Sequence, residues 1–148
     1  MTKEKPIIAI TMGDAAGIGP EIIVKALCSE GIYNICRPLV VGEGNTLEKT
    51  IELLDKPVKL HRVKSVTNVL AQPDIIDLLD LHNLKPEDVV VGQICAPCGK
   101  AAMEYIIEAA RLTLEGKTKA LVTAPINKEA TKLAGYEEMG HLEFLARF

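Results

Sequence analysis

A glycine-rich stretch at residues 13–21 (GDAAGIGPE) most constrains the fold of this chain. It follows residues 7–12 (IIAITM), a short and nearly all-apolar run typical of a strand that is covered on both faces. Pro20 stands where a first helical residue would lie and needs no N–H, and Glu21 follows in the first turn, where the helix dipole favours a carboxylate. A strand, a glycine loop and a helix in this order predict a ligand site near the carboxyl end of the strand.

Strand-like and helix-like patterns continue to alternate, which predicts an α/β fold with a largely parallel sheet. The further predicted strands are residues 38–42, 58–63, 89–94 and 119–124. The strand at 58–63 alternates apolar and polar residues and is therefore expected near an edge of the sheet. Residues 74–80 fit either a short strand or a turn of helix, and the pattern leaves this choice open.

Four helices are predicted from apolar periodicity and capping residues. The first spans residues 20–27, and the second is capped by Asn45 or Thr46 and ends at residues 56–57. The third spans residues 99–116, and the fourth follows residues 125–128 and ends near residue 135. The first helix is expected to bury a face made of Ile22, Ile23 and Ala26. The third is expected to bury a stripe made of Met103, Ile106, Ile107, Ala110 and Leu114.

Charge and hydropathy exclude two classes of partner. The 148 residues include 20 acidic and 17 basic side chains, for a net charge of −3, with no extended basic cluster. Binding to nucleic acid through phosphates is therefore not expected. The mean hydropathy is +0.18, but no apolar run approaches the roughly 18 residues of a membrane helix. Residues 1–6 lead directly into the first strand without room for a secretory signal, so we expect a cytoplasmic protein.

The four cysteines are Cys28, Cys36, Cys95 and Cys98. In an intracellular chain of this size they are expected to be thiols rather than a disulfide framework. Cys95 and Cys98 have the C-x-x-C spacing of a redox dithiol or half of a zinc site. The spacing of Cys28 and Cys36 fits a second zinc pair poorly, whereas a predicted strand before Cys95 and a helix after it suit a dithiol. A redox or metal role for Cys95 and Cys98 therefore stays open beside the simpler reading as thiols.

A second group of polar residues follows the last predicted strand, at residues 123–128 (TAPINK) and 140–143 (GHLE). The Thr123 hydroxyl, the Lys128 ammonium and the His141 imidazole could together hold an anionic, hydroxylated substrate. Taken singly, each has a simpler interpretation, since a lysine near a helix start is usually solvated and a histidine after glycine is usually a loop residue. The remaining histidines, His61 and His82, are expected to be structural.

Neither common nucleotide-binding fingerprint is present. Gly13, Gly17 and Gly19 give the spacing G-x-x-x-G-x-G, whereas a dinucleotide loop needs G-x-G-x-x-G. Residues 92–101 contain Gly-Lys, but the glycine spacing and the following alanine do not fit a phosphate-binding loop. The three glycines are expected to let the backbone approach a ligand, although a tight turn without a ligand would also explain them.

Residues 13–21, 92–93, 123–129 and 140–143 resemble, in this order, the 4-hydroxythreonine-4-phosphate dehydrogenase family of vitamin B6 biosynthesis. The resemblance spans essentially the whole chain but somewhat under half of the family's usual length. It implies an α/β/α architecture like that of the isocitrate and isopropylmalate dehydrogenases, with the active site in an interdomain cleft at a dimer interface. Residues 1–148 are then expected to be the N-terminal portion of a larger two-domain, homodimeric enzyme.

The resemblance also implies a reaction and a set of site residues. The family uses NAD or NADP to oxidise the secondary hydroxyl of a small 4-phosphorylated substrate, and a divalent metal such as Zn, Mg or Co polarises the oxygen. By match to the family's block at residues 140–143, His141 contacts the substrate. Asp14, Thr123 and Lys128 are expected as further substrate-binding residues. The family's metal-binding histidines lie beyond the block at 140–143. No metal ligand or complete catalytic set is therefore expected here, and the isolated chain is expected to show no turnover.

Two positions depart from the family pattern: Ala15 replaces a proline and Leu142 replaces a threonine. Leucine cannot donate a hydrogen bond, so Leu142 favours a relative that oxidises 4-phosphothreonate or 4-phosphoerythronate over neutral drift. The alternative function is a noncatalytic binding or assembly module that retains half of the site. A fragment is favoured over such a module because the apolar residues Phe144, Leu145 and Phe148 are expected to have nothing to pack against.

Overall fold

The computed structural model describes residues 4–137 and 140–148, and its strands form a five-stranded, all-parallel sheet. The strands are β1 (Ile7–Thr11), β2 (Arg37–Gly42), β3 (Lys59–Arg62), β4 (Ile75–Asp80) and β5 (Ala120–Thr123). Their spatial order is β3-β4-β2-β1-β5. The predicted α/β class with a parallel sheet is confirmed, and β3 lies at an edge as its alternating pattern predicted.

Helices cover both faces of the sheet. They are α1 (Gly19–Leu27), α2 (Glu30–Ile35), α3 (Gly44–Leu53), α4 (Ala96–Leu114), α5 (Lys128–Leu133) and α6 (His141–Leu145), with single 3₁₀ turns at Val66–Asn68 and Pro86–Asp88. The connections from β1 to β2 and from β2 to β3, which contain α1, α2 and α3, run toward the β3 edge of the sheet. The connection from β4 to β5, which contains α4, runs toward the opposite edge. Right-handed connections therefore place α4 on the face opposite α1 to α3. In agreement, α1 packs against α3, and α4 packs against β1, β2, β5 and α5.

The centre of the sheet is fully apolar because both of its faces are covered. Leu39, Val40 and Val41 of β2 are completely buried between the helix layers. Residues 74–80, which the sequence left open, contain strand β4, which pairs in parallel with β2 and β3. Its Ile76 and Leu78 are also completely buried.

The strand predicted at residues 89–94 is wrong. This segment has no regular secondary structure after the Pro86–Asp88 turn, and Val91 is 79% exposed. Gly92 has φ +82°, a left-handed conformation that interrupts an extended strand, and its N–H donates to the carbonyl of Ala16 at 2.7 Å. The apolar composition that suggested a buried strand instead forms a surface beside the glycine loop.

Two predicted helix faces also need correction. In α1 the buried apolar side chains are Ile23, Val24 and Leu27, whereas Ile22 and Ala26 are exposed. The helix α4 begins at Ala96, before the predicted start, and its last residue Leu114 is exposed rather than part of a buried stripe. Packing against both the sheet and α5 buries α4 on more than one side, so one stripe described its core face too narrowly.

The prediction that Asn45 or Thr46 caps α3 is wrong. Helix α2 has no counterpart among the predicted helices. Glu43 is the N-cap, and its buried carboxylate accepts hydrogen bonds from the backbone N–H groups of Asn45 and Thr46 at 2.9 Å each. The side chains of Asn45 and Thr46 also donate to this carboxylate. A glutamate at this position performs the function usually supplied by a shorter polar side chain.

Candidate functional site at the carboxyl edge of β1 and β5

The loop between β1 and α1 lies directly against the loop that follows β5. Gly13 has φ +73°, and the next residue, Asp14, donates its N–H to the carbonyl of Pro125 at 3.0 Å. A Cβ on Gly13 would lie 2.4 Å from the Pro125 oxygen, and one on Gly19 would lie 2.2 Å from the Met12 oxygen. These two glycines are therefore required by the chain's own backbone contacts. Their predicted approach to a ligand stays a prediction.

Gly17 differs from the other two glycines. It is exposed, and a Cβ there would meet only Asp14, at an ordinary contact distance of 3.4 Å. The backbone of the loop is thus accessible at Gly17. A ligand role for Gly17 remains a prediction.

Asp14 is buried and engaged within its own loop. One carboxylate oxygen accepts the N–H of Ala16 at 3.0 Å, and the Asp14 carbonyl accepts the N–H of Gly17 at 3.0 Å. Burial raises the pKa of Asp14, and the hydrogen bond from Ala16 opposes this rise. The side chain orders the turn, and its contact with substrate stays a prediction.

Two threonines end neighbouring strands at this edge. Thr123 is the last residue of β5 and is in register with Thr11, the last residue of β1. The Thr11 hydroxyl is buried and has no hydrogen-bond partner among the residues that the structure describes. Thr11 is not among the predicted site residues, although a hydroxyl at the end of an otherwise apolar strand was a usable signal.

Lys128 begins α5 immediately after this edge. Asn127 caps the helix by accepting the N–H of Ala130 at 2.9 Å, which fixes the turn that presents Lys128. Lys128 is exposed and has no ion-pair partner within residues 4–137 and 140–148. It lines a surface cavity together with Glu143 at the start of α6. The lysine is therefore placed to attract an anion that enters from solvent.

His141 begins α6, half-buried beside the end of β5. Burial lowers the pKa of its imidazole, and a hydrogen bond with the backbone of Ala124 opposes the shift. Nε2 is buried and has no partner in the part of the chain that the structure describes. Glu143 accepts the N–H of Gly140 and thereby holds the residue before His141 in the cap of α6.

The backbone of residues 124–125 connects most of the predicted site. The Ala124 carbonyl would lie 3.1 Å from a Cβ on Gly13, and Ala124 also contacts the His141 imidazole. Thr123 precedes it at the end of β5. The structure thus gathers Gly13, Thr123 and His141 around one short segment, with Lys128 at the start of the helix that follows.

No metal-binding cluster of three His, Cys, Asp or Glu side chains occurs within residues 4–137 and 140–148. His61 contacts the buried carboxylate of Asp77 at 2.7 Å, and Asp77 also accepts the N–H groups of Leu70 and Ala71. These contacts fix the segment after β3 and agree with a structural His61. His82 is exposed, 3.5 Å from Asp80. In the same described residues, no helix has the length and apolar character to cross a membrane.

Phe144 in the last helix does have packing partners, contrary to expectation. The ring of Phe144 lies edge-on to Tyr136, with centroids 6.2 Å apart, and edge-on to Phe148, at 5.5 Å. These aromatic contacts hold α6 against the segment that follows α5. They also stabilise the position of His141, three residues before Phe144.

An all-parallel sheet with polar residues at the carboxyl ends of β1 and β5 defines an α/β protein of the class that binds ligands at this edge of the sheet. A sequence profile of the pyridoxal phosphate biosynthetic protein PdxA family matches residues 34–148. The chain is 43% identical over 146 residues to a D-threonate 4-phosphate dehydrogenase from Cupriavidus necator, covering 99% of this chain and 44% of the relative. It is 42% identical over 147 residues to a 4-hydroxythreonine-4-phosphate dehydrogenase from Trichlorobacter lovleyi, with the same coverage.

The crystal structure of a 4-hydroxythreonine-4-phosphate dehydrogenase from Burkholderia phymatum has the same fold over this region. It superposes with a TM-score of 0.93 at 40% identity and covers 98% of this chain and 44% of that one. The chain therefore belongs to the PdxA family, and the predicted resemblance, with its isocitrate dehydrogenase-like fold, is confirmed. It spans less than half the length of the curated relatives it matches.

Proposed function

We propose that this chain forms one wall of the substrate site of a nicotinamide-dependent dehydrogenase that oxidises the secondary hydroxyl of a small 4-phosphorylated hydroxy acid. The observation that carries the proposal is His141, whose buried Nε2 lacks a partner among the described residues at the carboxyl edge of β5. Membership of a family of named dehydrogenases supplies the reaction class.

The chemistry of His141 follows from its surroundings. A lowered pKa keeps the imidazole neutral near physiological pH. If the Ala124 carbonyl accepts a hydrogen bond from Nδ1–H, Nε2 carries no proton and is an acceptor. A substrate hydroxyl would satisfy this buried acceptor, so His141 is assigned the binding and orientation of an oxygen near the reacting carbon.

Lys128 and Thr123 complete the proposed wall. The exposed ammonium of Lys128 would attract the phosphate or carboxylate of the substrate as a point charge. Thr123, at the end of β5, offers a hydroxyl that can donate to or accept from the same molecule. Asp14 and Gly17 would bound the site from the β1–α1 loop.

The described residues alone do not form a binding site for the nicotinamide or the divalent metal that the family implies. The close approaches at Gly13 and Gly19 are occupied by the chain's own carbonyl groups, and the described residues contain no three-ligand cluster. We propose that both groups are held by segments that the longer relatives have in addition to the region matched here. The isolated 148 residues are accordingly expected to be inactive. The whole enzyme is proposed to be a cytoplasmic homodimer, as the resemblance implies.

Among the family's substrates we favour 4-phosphothreonate or 4-phosphoerythronate. Leu142 stands next to His141 where the resemblance expects threonine, and its side chain is 85% exposed and unable to donate a hydrogen bond. The two relatives described above are named for different substrates, but their sequence identities to this chain are nearly equal. The choice of substrate is therefore supported by Leu142 and not by overall similarity.

The experiment joins this chain to the remaining part of the Cupriavidus necator relative and measures reduced nicotinamide formed from each substrate. We expect turnover of D-threonate 4-phosphate to exceed that of 4-hydroxythreonine 4-phosphate. Equal or better turnover of 4-hydroxythreonine 4-phosphate would contradict the substrate assignment. Absence of turnover in a folded chimera, with the parent enzyme active, would contradict the proposed function.

A further inference from the structure

The two cysteines at the start of α4 lie together, outside the residues assigned to the substrate wall. Cys95 is the N-cap of the helix, and its sulfur accepts the N–H of Cys98 at 3.4 Å. Both thiols donate to the carbonyl of Asp88, at 3.3 Å from Cys95 and 3.8 Å from Cys98. A shared acceptor and a direct contact between the side chains place the two sulfurs next to each other.

The two thiols differ in accessibility, which gives them different chemical roles. Cys95 is only partly buried, whereas Cys98 is completely buried. Burial and the neighbouring Cys95 raise the pKa of Cys98 to about 12, so it is held as a thiol. An accessible attacking thiol beside a buried resolving thiol is the arrangement that dithiol chemistry requires.

We propose that Cys95 and Cys98 form a redox-active dithiol that closes reversibly to an intramolecular disulfide. The oxidant is a low-molecular-weight disulfide such as oxidised glutathione. The Cys95 thiolate attacks one sulfur of this disulfide, forms a mixed disulfide and releases one thiolate. Cys98 then attacks the Cys95 sulfur, its proton passes to the second departing thiolate, and the S–S bond closes. Two protein thiols are oxidised, and one disulfide is reduced to two thiols.

The dithiol is connected to the glycine loop. The backbone of Ala16 hydrogen bonds with the Cys98 sulfur, and Ala16 accepts the N–H of Gly92 at 2.7 Å. Formation of the disulfide removes both thiol donors from the Asp88 carbonyl. Oxidation is therefore expected to loosen residues 88–92 and, through Gly92, their contact with the loop.

The first test uses a Cys28→Ser/Cys36→Ser chain, which retains only the proposed pair. Incubation with oxidised glutathione followed by alkylation and mass spectrometry should show a chain that has lost two hydrogen atoms and carries no glutathione. Dithiothreitol should restore both thiols. Two thiols that stay alkylatable, or a lasting glutathione adduct while Cys98 is present, would overturn the proposal.

Single replacements in the same background separate the two roles. Cys98→Ala should accumulate the glutathione adduct on Cys95, because no resolving thiol remains. Cys95→Ser keeps a capping side chain and should leave Cys98 largely unmodified under native conditions. Equal modification of both single variants would contradict the assigned order of attack. Should Cys98→Ala not fold, the result with the intact pair still decides the proposal.

The connection between the dithiol and the glycine loop can be tested separately by hydrogen exchange. Hydrogen exchange at the Gly92 amide should be severalfold faster in the oxidised chain than in the reduced one. The amide of Lys119, which donates to Ile7 at the other end of the sheet, should be unchanged and serves as the control. Unchanged exchange at Gly92 in a fully oxidised chain would contradict the connection to the loop.

Discussion

The N–H of Asp14 donates a hydrogen bond to the carbonyl of Pro125 at 3.0 Å, which joins the loop after β1 to the loop after β5. Asp14 and Gly17 of the proposed substrate wall lie in the first loop, and Thr123 and Lys128 flank the second. Residues more than one hundred positions apart in the chain thus meet because β1 and β5 are neighbours in the sheet. The fold positions the site through this backbone contact before any ligand is present.

Gly13→Ala tests this contact. The substitution should lower the free energy of unfolding by about 1–2 kcal/mol for the left-handed φ, with a further ~1–3 kcal/mol because the added Cβ meets the Pro125 oxygen at 2.4 Å. Gly116→Ala is the matched control, since Gly116 has φ +72° and nothing within 4 Å of the added Cβ. Urea denaturation should show the larger loss for Gly13→Ala, and equal losses would contradict the described contact.

Glu43→Ala should destabilise α3. The buried carboxylate satisfies two backbone N–H groups at the helix start, so we expect a loss of about 1–2 kcal/mol in the free energy of unfolding. Asn45→Ala and the exposed replacement Glu52→Ala should each have a smaller effect. A larger loss of stability for Asn45→Ala, measured by the same denaturation, would indicate that Asn45 caps α3, as the sequence predicted.

Asp14→Asn should change the pH dependence of stability. Because burial raises the folded pKa of Asp14 above its unfolded value, its contribution is most favourable below the unfolded pKa and is lost as pH rises through the folded pKa. Asn keeps an oxygen that can accept from Ala16 but carries no charge. Thermal unfolding should therefore show Asp14→Asn above wild type at neutral pH, with the difference shrinking toward acid. Glu52→Gln controls for removal of an exposed carboxylate, and a gain for Asp14→Asn that persists in acid would refute this account.

His141 should titrate below the ordinary histidine pKa of about 6.5, because burial disfavours the imidazolium. Since the folded pKa is lowered, the stability contributed by neutral His141 is present above the unfolded pKa and is lost as pH falls toward the folded value. NMR titration of wild type and His141→Gln identifies the resonance by its disappearance. A His141 pKa above 6.5 would contradict the assigned burial of its ring.

The sequence predicted β1, β2 and β5 from their nearly continuous apolar runs and β3 from its alternating pattern, but it left β4 open. It failed where local pattern and tertiary position disagree. Residues 89–94 are apolar but lie at the surface, and Glu43 caps a helix that the shorter Asn45 and Thr46 were expected to cap. Both outcomes depend on contacts with distant segments that periodicity does not record.

The candidate site was predicted from polar residues and glycines at the ends of predicted strands, and the family resemblance added the contact of His141 with substrate. The blocks at residues 13–21 and 123–128 were correctly placed at the carboxyl ends of strands, and the structure adds that they touch. The structural need for glycine at positions 13 and 19 depends on three-dimensional packing and so emerged only from the fold. Thr11 had a signal in the sequence, but the lack of a partner for its hydroxyl among the described residues required the structure.

The central claim is that His141 contacts substrate at the edge formed by β1 and β5. The most direct measurement is the kcat/KM of the chimeric enzyme for D-threonate 4-phosphate, compared between the unaltered chimera, His141→Gln and the exposed control His82→Gln. We predict that His141→Gln lowers this value by about 10-fold or more, because loss of a hydrogen bond that orients the substrate costs about 1–3 kcal/mol, while His82→Gln leaves it unchanged. Equal activity of His141→Gln and the unaltered chimera would contradict the account.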